Sequence, residues 1–462
     1  MKHALIIGGG ISGLSSAYYL NKAGIPFTLI EKASHLGGLI KTEHMSGCTL
    51  EAGPDSFLSS KPWALELIEE LGLGSEVIGS KDEERETFIV KNGSLVPLPD
   101  GMQFMIPRRI GPMLNSSLVG LGSKLQMGME WFRKPTTGQR PERSVAEFVK
   151  DHFGEEALEY IAEPLMAGVY GGVPEQLSAT SVFPKFVEIE TKYGSLRKGS
   201  AENDKGEAPP SPLFKALQNG MGSLIDGILG AIAENIKGVR GTAEAVEQTG
   251  YGFRVKVNDD WVEGSDVIMA CEAHNAQKIV AQLNPRLSAL FGEIPYSSSV
   301  IMTIAFDARD LAKIPQGFGF LVPRRERKRI MACTFVGNKF PYREADNIIL
   351  LRVFMGGPTG ADAIEMSEGT LLEEVMGELN EILDITAKPQ FTRLWRLPNS
   401  MPQYTVGHEA RVAEIEEHLK AMPGLHVVGN AYYGIGIPNC VKMAREIAGS
   451  IVERHRQPAV AE

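Results

Sequence analysis

The sequence predicts an α/β fold in which a dinucleotide-binding βαβ domain is interleaved with a mixed-sheet domain and a helical domain. Three observations carry that expectation. The chain opens on a short apolar strand that runs into Gly8-x-Gly10-x-x-Gly13 and then a helix. It closes, about four hundred residues later, on a second strand, glycine-rich turn and helix, Leu425 to Asn439. Between the two ends, strands of the same buried character recur near 213–278, separated by insertions of different composition.

The opening strand spans His3 to Ile7, and the helix follows from Leu14 to Leu20. Gly8 allows the tight turn, Gly10 lets a pyrophosphate approach the backbone, and Gly13 lets helix and strand pack closely. With Gly9, Ile11 and Ser12 they form a turn whose helix N-terminus presents free N–H groups and a positive dipole end to phosphate. A second strand, Phe27 to Ile30, leads to Glu31, eighteen residues past Gly13, followed by Lys32. A carboxylate there suits both hydroxyls of an adenosine ribose and argues against a 2′-phosphate, so NADP is disfavoured while FAD and NAD remain.

The next segments choose between them. The glycine pair before Leu39, Gly37-Gly38, lets backbone lie along an extended dinucleotide. A second turn, Gly53-Pro54-Asp55-Ser56, can bring N–H groups to its far end. The closing turn carries Gly429, Asn430, Ile435, Gly436 and Ile437, and its helix offers a second anion-friendly N-terminus. A cofactor held by both ends of the chain is the pattern of FAD.

Composition bounds the rest. At 462 residues the chain should hold two or three domains. Hydrophobic residues at 43% and charged residues at 23% are ordinary for a globular protein. A formal net charge of −10 argues against nucleic acid as a partner. Cys48, Cys271, Cys333 and Cys440 are scattered, with no CxxC or CxxH cluster, which points to no metal site, no disulfide framework and a reducing cytoplasm. No signal peptide is evident, and no apolar run reaches the ~20 residues a membrane span needs. The Leu- and Met-rich stretch 117–132 is expected to be a helix covering an apolar cavity, with peripheral membrane contact as the alternative. Hydrolase, zincin and phosphoryl-transfer signatures are missing.

The expected organisation assigns 1–60, 213–278 and 397–462 to the FAD-binding domain. Residues 61–99 and 279–396 form the substrate domain, and 100–212 a helical domain with a flexible loop at 194–212, where glycine, serine, charged residues and prolines dominate. A strand is expected at Arg240 to Glu247, then a hairpin turning through Asn258-Asp259-Asp260, then a buried strand from Asp266 to Cys271. Asn92-Gly93 marks a second hairpin of type I′ geometry beginning at Thr87.

The segment Glu163-Pro164-Leu165-Met166-Ala167-Gly168-Val169-Tyr170-Gly171-Gly172, continuing to Ser178, carries a narrower likeness. Together with Phe214 to Met221, Met401-Pro402-Gln403-Tyr404 and Gly407-His408, it resembles the oxygen-dependent porphyrinogen oxidases of haem synthesis, within the flavin-containing amine oxidase superfamily. The likeness covers nearly the whole chain. It implies a non-covalent FAD, since Asn430-Ala-Tyr-Tyr offers no cysteine before the closing turn, and it lays Ala243 against the adenine side. It implies a porphyrinogen substrate, O2 as acceptor and a downstream haem-pathway enzyme as a partner. Leu321, Phe335 and Phe354 would grip a pyrrole ring, and Gly168 would offer its carbonyl to a pyrrole N–H.

One departure stands out: where eukaryotic protoporphyrinogen oxidases place an arginine, this chain has Thr87, with Arg85 two residues earlier as a same-face substitute. The Pro97 to Gln103 segment is similar to the bacterial branch that oxidises coproporphyrinogen III. No catalytic acid or base is nominated. His408 is expected to make a structural hydrogen bond and Lys41 to be solvated. An amine oxidase, which would want an aromatic cage such as Tyr432-Tyr433, and a non-catalytic binding protein of the same fold are the alternatives.

Overall fold

The computed structural model of the chain describes residues 2–103, 105–107, 110–135, 141–203, 212–311 and 314–456. The strand Ala4–Ile7 is four apolar residues, all buried, a pattern that suits a parallel strand covered on both faces. Phe27–Glu31 and Asp266–Met269 flank it in parallel, and Lys237–Arg240 and Leu425–Val427 extend the sheet to five strands. The helix Ile11–Lys22 packs against the long closing helix Ile437–Arg456, so both ends of the chain share one core. A three-stranded antiparallel meander, Ala243–Thr249, Gly252–Val257 and Asp260–Gly264, adjoins this sheet, with Asn258 at positive φ in its turn. The single strand expected over 240–247 is therefore two, broken at Gly241-Thr242, where the chain passes from the parallel sheet into the meander.

The second body is a seven-stranded mixed sheet. Its order is Phe391–Pro402, Tyr296–Asp307, Ile348–Gly356, Ala332–Phe335, Gly319–Leu321, Thr87–Lys91 and Ser94–Pro97. The hairpin Thr87–Pro97 turns at Asn92 and Gly93, both at positive φ as a type I′ turn requires. Helix Glu368–Leu383 covers one face through Leu371, Val375 and Leu379. Three boundaries differ from those expected. The helix Trp63–Glu70 and the strand Val77–Gly79 pack with the nucleotide-binding core, because Ala64, Leu67 and Ile68 are buried there and Val77–Gly79 pairs with Phe214–Leu217. The helix Pro285–Gly292 joins the same core through Leu287, Leu290 and Phe291. Strand Phe391–Pro402 runs unbroken through residue 397 as an edge of the mixed sheet.

The third body is helical. Val145–Phe153 starts with a complete capping box between Ser144 and Glu147, and it buries Val145, Phe148 and Val149. Helix Leu121–Met129 buries only Met127 and turns Leu121, Leu125 and Met129 outward, with Phe132 80% exposed just beyond it. It does not cover a cavity with its apolar side, as expected, but presents that side to solvent.

The flexible loop expected at 194–212 is also corrected in its first half, since Leu196–Asn203 is helical and Leu196 is fully buried; residues 204–211 lie outside those described. Composition missed this helix because its anchor is a carboxylate 66 residues upstream. Glu130 accepts from the Leu196 N–H at 2.6 Å, the Arg197 N–H at 3.4 Å and the Ser195 hydroxyl at 3.0 Å, capping the helix from outside it.

Glu130 also meets His152 Nδ1 at 3.1 Å, while Glu190 meets His152 Nε2 at 3.1 Å and Arg143 at 2.5 Å. Burial would raise both carboxyls, but the hydrogen bonds to His152 and its partners outweigh it and hold Glu130 and Glu190 below the ordinary 4.5. A depressed carboxylate contributes stability that is complete above its unfolded pKa and lost as pH falls through the folded one. The helical body should therefore loosen on acidification below about pH 4.5. Glu130→Gln should lower unfolding free energy by about 3 kcal/mol at pH 7 and flatten the acid-side loss. Urea unfolding followed by tryptophan fluorescence at pH 7 and pH 4 checks this, and equal stabilities at pH 7 would refute it.

Candidate cofactor and substrate site

A cavity of about 620 Å³ opens at the carboxyl ends of the parallel strands, where α/β sheets bind dinucleotides. Its wall contains Gly8, Gly10, Ile11, Ser12, Glu31, Lys32, Gly38, Leu39, Pro54, Ala243, Gly429, Asn430, Ile435 and Ile437. Residues from both ends of the chain and from the middle segment thus converge on one space. Gly8 has φ 109, which a side chain would resist. Gly10 has ordinary backbone geometry, and a Cβ there would meet nothing nearer than Gly38 Cα at 3.9 Å, so its missing side chain leaves room for a ligand.

Six of the expected cofactor residues stand behind this wall. Gly9 gives its N–H to Glu31 Oε2 at 2.6 Å, and Ala33 gives its own to Oε1 at 2.7 Å, which fixes the carboxylate at the cavity rim with lone pairs to spare. Side chains at Gly13 and Gly53 would run into the Gly8 and Leu39 carbonyls, so both glycines serve close packing. Asp55 and Ser56 turn away, toward Lys339. Gly436 belongs to the closing turn but not to the wall. Sequence reasoning missed Cys271, Glu272 and Asn275 in the wall. They directly follow the strand Asp266–Met269, and that position at the end of a central parallel strand was the available signal.

The closing turn is fixed by Tyr404, which donates to the Asn430 carbonyl at 2.6 Å and accepts from the Gly434 N–H at 2.7 Å. His408 stacks on Tyr404 at 4.1 Å, and its Nε2 lies 3.1 Å from the Tyr432 carbonyl. Burial lowers its pKa to about 4, so the ring is neutral at pH 7 and holds the turn. Lys41 pairs with Glu43 at 2.7 Å in solvent. Burial pushes the Cys440 thiol up to about 11 and the Cys271 thiol to about 12, which leaves both protonated and weakly nucleophilic. Asp151, His152 and Glu190 bring ligand-type atoms within 4.8 Å of one another, but Arg133 and Arg143 already pair with the carboxylates.

The mixed sheet carries the residues expected to meet the substrate. Leu321 pairs with Ala332, and Ala332 with Phe354, placing Leu321 and Phe354 on one face. Helix Glu163–Tyr170 meets that face at Gly168, where a Cβ would lie 3.2 Å from Leu321 Cδ2. Phe335 is corrected: strand alternation puts it on the opposite face, where it packs edge-on to Phe320 at 6.1 Å beneath helix Glu368–Leu383. Thr87 pairs with Gly319 and so falls on the Leu321 face. Arg85 cannot substitute for it by alternation, because the strand begins at Thr87 and Arg85 is an exposed residue ending the turn Asp82–Glu84.

Charged groups join the Glu51–Ser56 segment to the mixed sheet and the chain next to it. Glu51 meets Arg343 at 2.5 Å with both side chains at most 3% exposed, and Asp55 meets Lys339 at 3.0 Å and Arg352 at 3.6 Å. Arg352 also donates to the Gly53 carbonyl and lies 4.8 Å from the Phe354 ring. The three cations hold Asp55 well below the usual carboxylate range despite its burial. Nearer the closing helix, Lys61 donates to Asn439 Oδ1 at 2.7 Å; burial, then the charges of Lys185 and Lys442, hold its pKa below the usual lysine range.

Comparison with known proteins agrees with this geometry. The profile of the family described as flavin containing amine oxidoreductase matches residues 11–452. A coproporphyrinogen III oxidase of Staphylococcus aureus (strain NCTC 8325 / PS 47) is 29% identical, over 98% of this chain and 99% of its own length. The mitochondrial protoporphyrinogen oxidase of Nicotiana tabacum is 24% identical over 98% of this chain and 95% of its own. A solved structure from Exiguobacterium sp. 255-15 superposes with a TM-score of 0.86 at 29% identity, covering 98% of this chain and 99% of that one.

Because the Gly10 position is open and unstrained, Gly10→Val should fold normally yet fill the phosphate-facing space. The purified variant is expected to match the wild type in circular dichroism and to lack the visible flavin absorbance. Full flavin occupancy in that variant would show that the dinucleotide does not cross Gly10.

Proposed function

The chain belongs to the flavin containing amine oxidoreductase family, and from that premise we propose that it is an FAD-dependent oxidase converting coproporphyrinogen III to coproporphyrin III in haem biosynthesis. The residues present fit FAD. Glu31 in the wall suits the adenosine ribose, the glycine turn and the two helix N-termini suit the pyrophosphate, and in this reading the ring is assigned to Pro54, Leu39 and Ile435 of the same wall. The cofactor is held without a covalent bond in this reading, since both cavity thiols are protonated. The flavin takes two electrons per cycle, so removing six hydrogens from a porphyrinogen needs three cycles, with O2 as acceptor and one H2O2 per cycle. The protein's share is to hold the macrocycle against the ring end and to exclude water.

One observation carries the substrate assignment. Leu321 and Phe354 share an apolar sheet face that meets the Gly168 helix, and this reading assigns to the carboxylate fringe Lys61 and Lys185, which lie near each other and have no acidic ion-pair partner among the described residues. Apolar walls suit the puckered ring, and free cations suit its carboxylates. Four carboxylates on coproporphyrinogen use such a cluster better than the two of protoporphyrinogen IX, which remains the alternative substrate. The outward Leu121, Leu125, Met129 and Phe132 support peripheral contact with a membrane or with the next enzyme of the pathway. No helix among the described residues is long and apolar enough to cross a membrane, and four free thiols fit a reducing cytoplasm.

The expected result is a higher kcat/KM for coproporphyrinogen III than for protoporphyrinogen IX, with three peroxides per porphyrin. Lys61→Met should raise KM for coproporphyrinogen about three- to tenfold and leave kcat nearly unchanged. Porphyrin fluorescence and peroxide assays under matched detergent conditions check both. A clear preference for protoporphyrinogen IX would overturn the substrate assignment.

A further inference from the structure

Five ionisable side chains meet between the Gly53–Ser56 turn and the mixed sheet, and their charges do not cancel. Glu51 and Asp55 bring two negative charges, whereas Lys339, Arg343 and Arg352 bring three positive ones. Glu51, Lys339, Arg343 and Arg352 are 3%, 9%, 1% and 4% exposed, so solvent screens them little. Among the described residues no other acid is ion-paired with the three cations. Arg343 is matched by Glu51 at 2.5 Å and Lys339 by Asp55 at 3.0 Å. Arg352 is the least matched: Asp55 is 3.6 Å away and already shared, its Nε has no partner, and its other contacts are the Gly53 carbonyl and the face of Phe354.

A buried unmatched cation is costly unless a negative charge meets it during function. Its place in the molecule shows where that charge would come from. Pro54 lies between Gly53, bonded by Arg352, and Asp55, paired with Lys339, and it is part of the cavity wall. In the flavin reading the ribose is held at Glu31 and the ring is assigned to the Pro54 side of the cavity.

We infer that Arg352, backed by Lys339, is a positioning residue that sets the reduction potential of the flavin through its surplus charge. This rests on the flavin reading given above. On two-electron reduction the ring gains two electrons and one proton and carries one more negative charge; the substrate loses the same two electrons and a proton. A fixed, buried surplus cation near the bound ring would favour the reduced side of that balance, because a low-dielectric site preserves the attraction.

The test uses the purified FAD-bound enzyme. The midpoint potential is measured against a reference dye, and the dissociation constant of the flavin–sulfite adduct is measured in parallel. Arg352→Met and Lys339→Met should each shift the two-electron equilibrium toward oxidised flavin by about tenfold, about 30 mV, and weaken sulfite to a similar extent. Asp55→Asn, which adds to the surplus, should shift both readings the opposite way, and Arg352→Lys should stay near the wild type. If Arg352→Met does not fold, the opposed pair Lys339→Met and Asp55→Asn carries the test. Unchanged potentials, shifts of one sign in all variants, or a change confined to KM for the porphyrinogen would overturn the inference. A colourless wild-type protein would instead overturn the flavin reading.

Discussion

The contact on which the rest depends is the buried ion cluster joining the Glu51–Asp55 segment to the mixed sheet. It bonds the segment beside the nucleotide cavity to the sheet that bears Leu321 and Phe354, next to a small apolar cluster of Cys48, Leu50, Ala305 and Leu350. Arg343 reaches Glu51 at 2.5 Å and also donates to the Asp55 and Leu217 carbonyls, each at 3.3 Å. Glu51 in turn accepts from the Met221 N–H at 2.7 Å and the Thr42 hydroxyl at 2.8 Å. One carboxylate and one guanidinium therefore fix four separate stretches of chain. Apolar residues of the same volume could stabilise such a contact equally well, since desolvation consumes most of the Coulomb gain. Directional bonds provide something apolar packing cannot, a defined orientation of the Gly53 turn.

That cluster also marks the limit of what the sequence discloses. Gly8, Gly10, Gly38 and Glu31 were legible because their chemistry is local: a strand, a turn and a helix within a few dozen residues define the phosphate site. The closing turn was legible for the same reason. Arg343 and Arg352 carry no such signature, as their partners lie almost three hundred positions away. Leu321 and Phe335 illustrate a finer limit. Both are large apolar residues in short strands, and only the register between those strands decides that one shares a face with Phe354 while the other packs beneath helix Glu368–Leu383. The helix Leu196–Asn203 was hidden because composition cannot report a cap supplied by Glu130 from another helix.

The helical body combines two unlike surfaces. Inside, His152 sits between two carboxylates with 0% of its side chain exposed, an arrangement that specifies one geometry. Outside, Leu121 is 82% and Leu125 66% exposed on a helix that buries a single methionine. A rigid interior beneath an apolar exterior suits a surface that meets something without deforming. The fold alone gives no reason for that apolar side, because moving those residues outward contributes nothing to the core.

The parallel sheet has a consequence for how the molecule comes into being. Its central strand is made first and its edge strand Leu425–Val427 almost last, with the closing helix after that. During synthesis the glycine turn therefore emerges hundreds of residues before the strand and helix that finish its surroundings. For most of translation the N-terminal βαβ unit has an open sheet edge and an uncovered helix, the kind of exposed surface that invites wrong pairing. The nascent chain has to keep that half-built sheet soluble until strand Leu425–Val427 and helix Ile437–Arg456 have been made, because the cavity wall is complete only once synthesis has passed them.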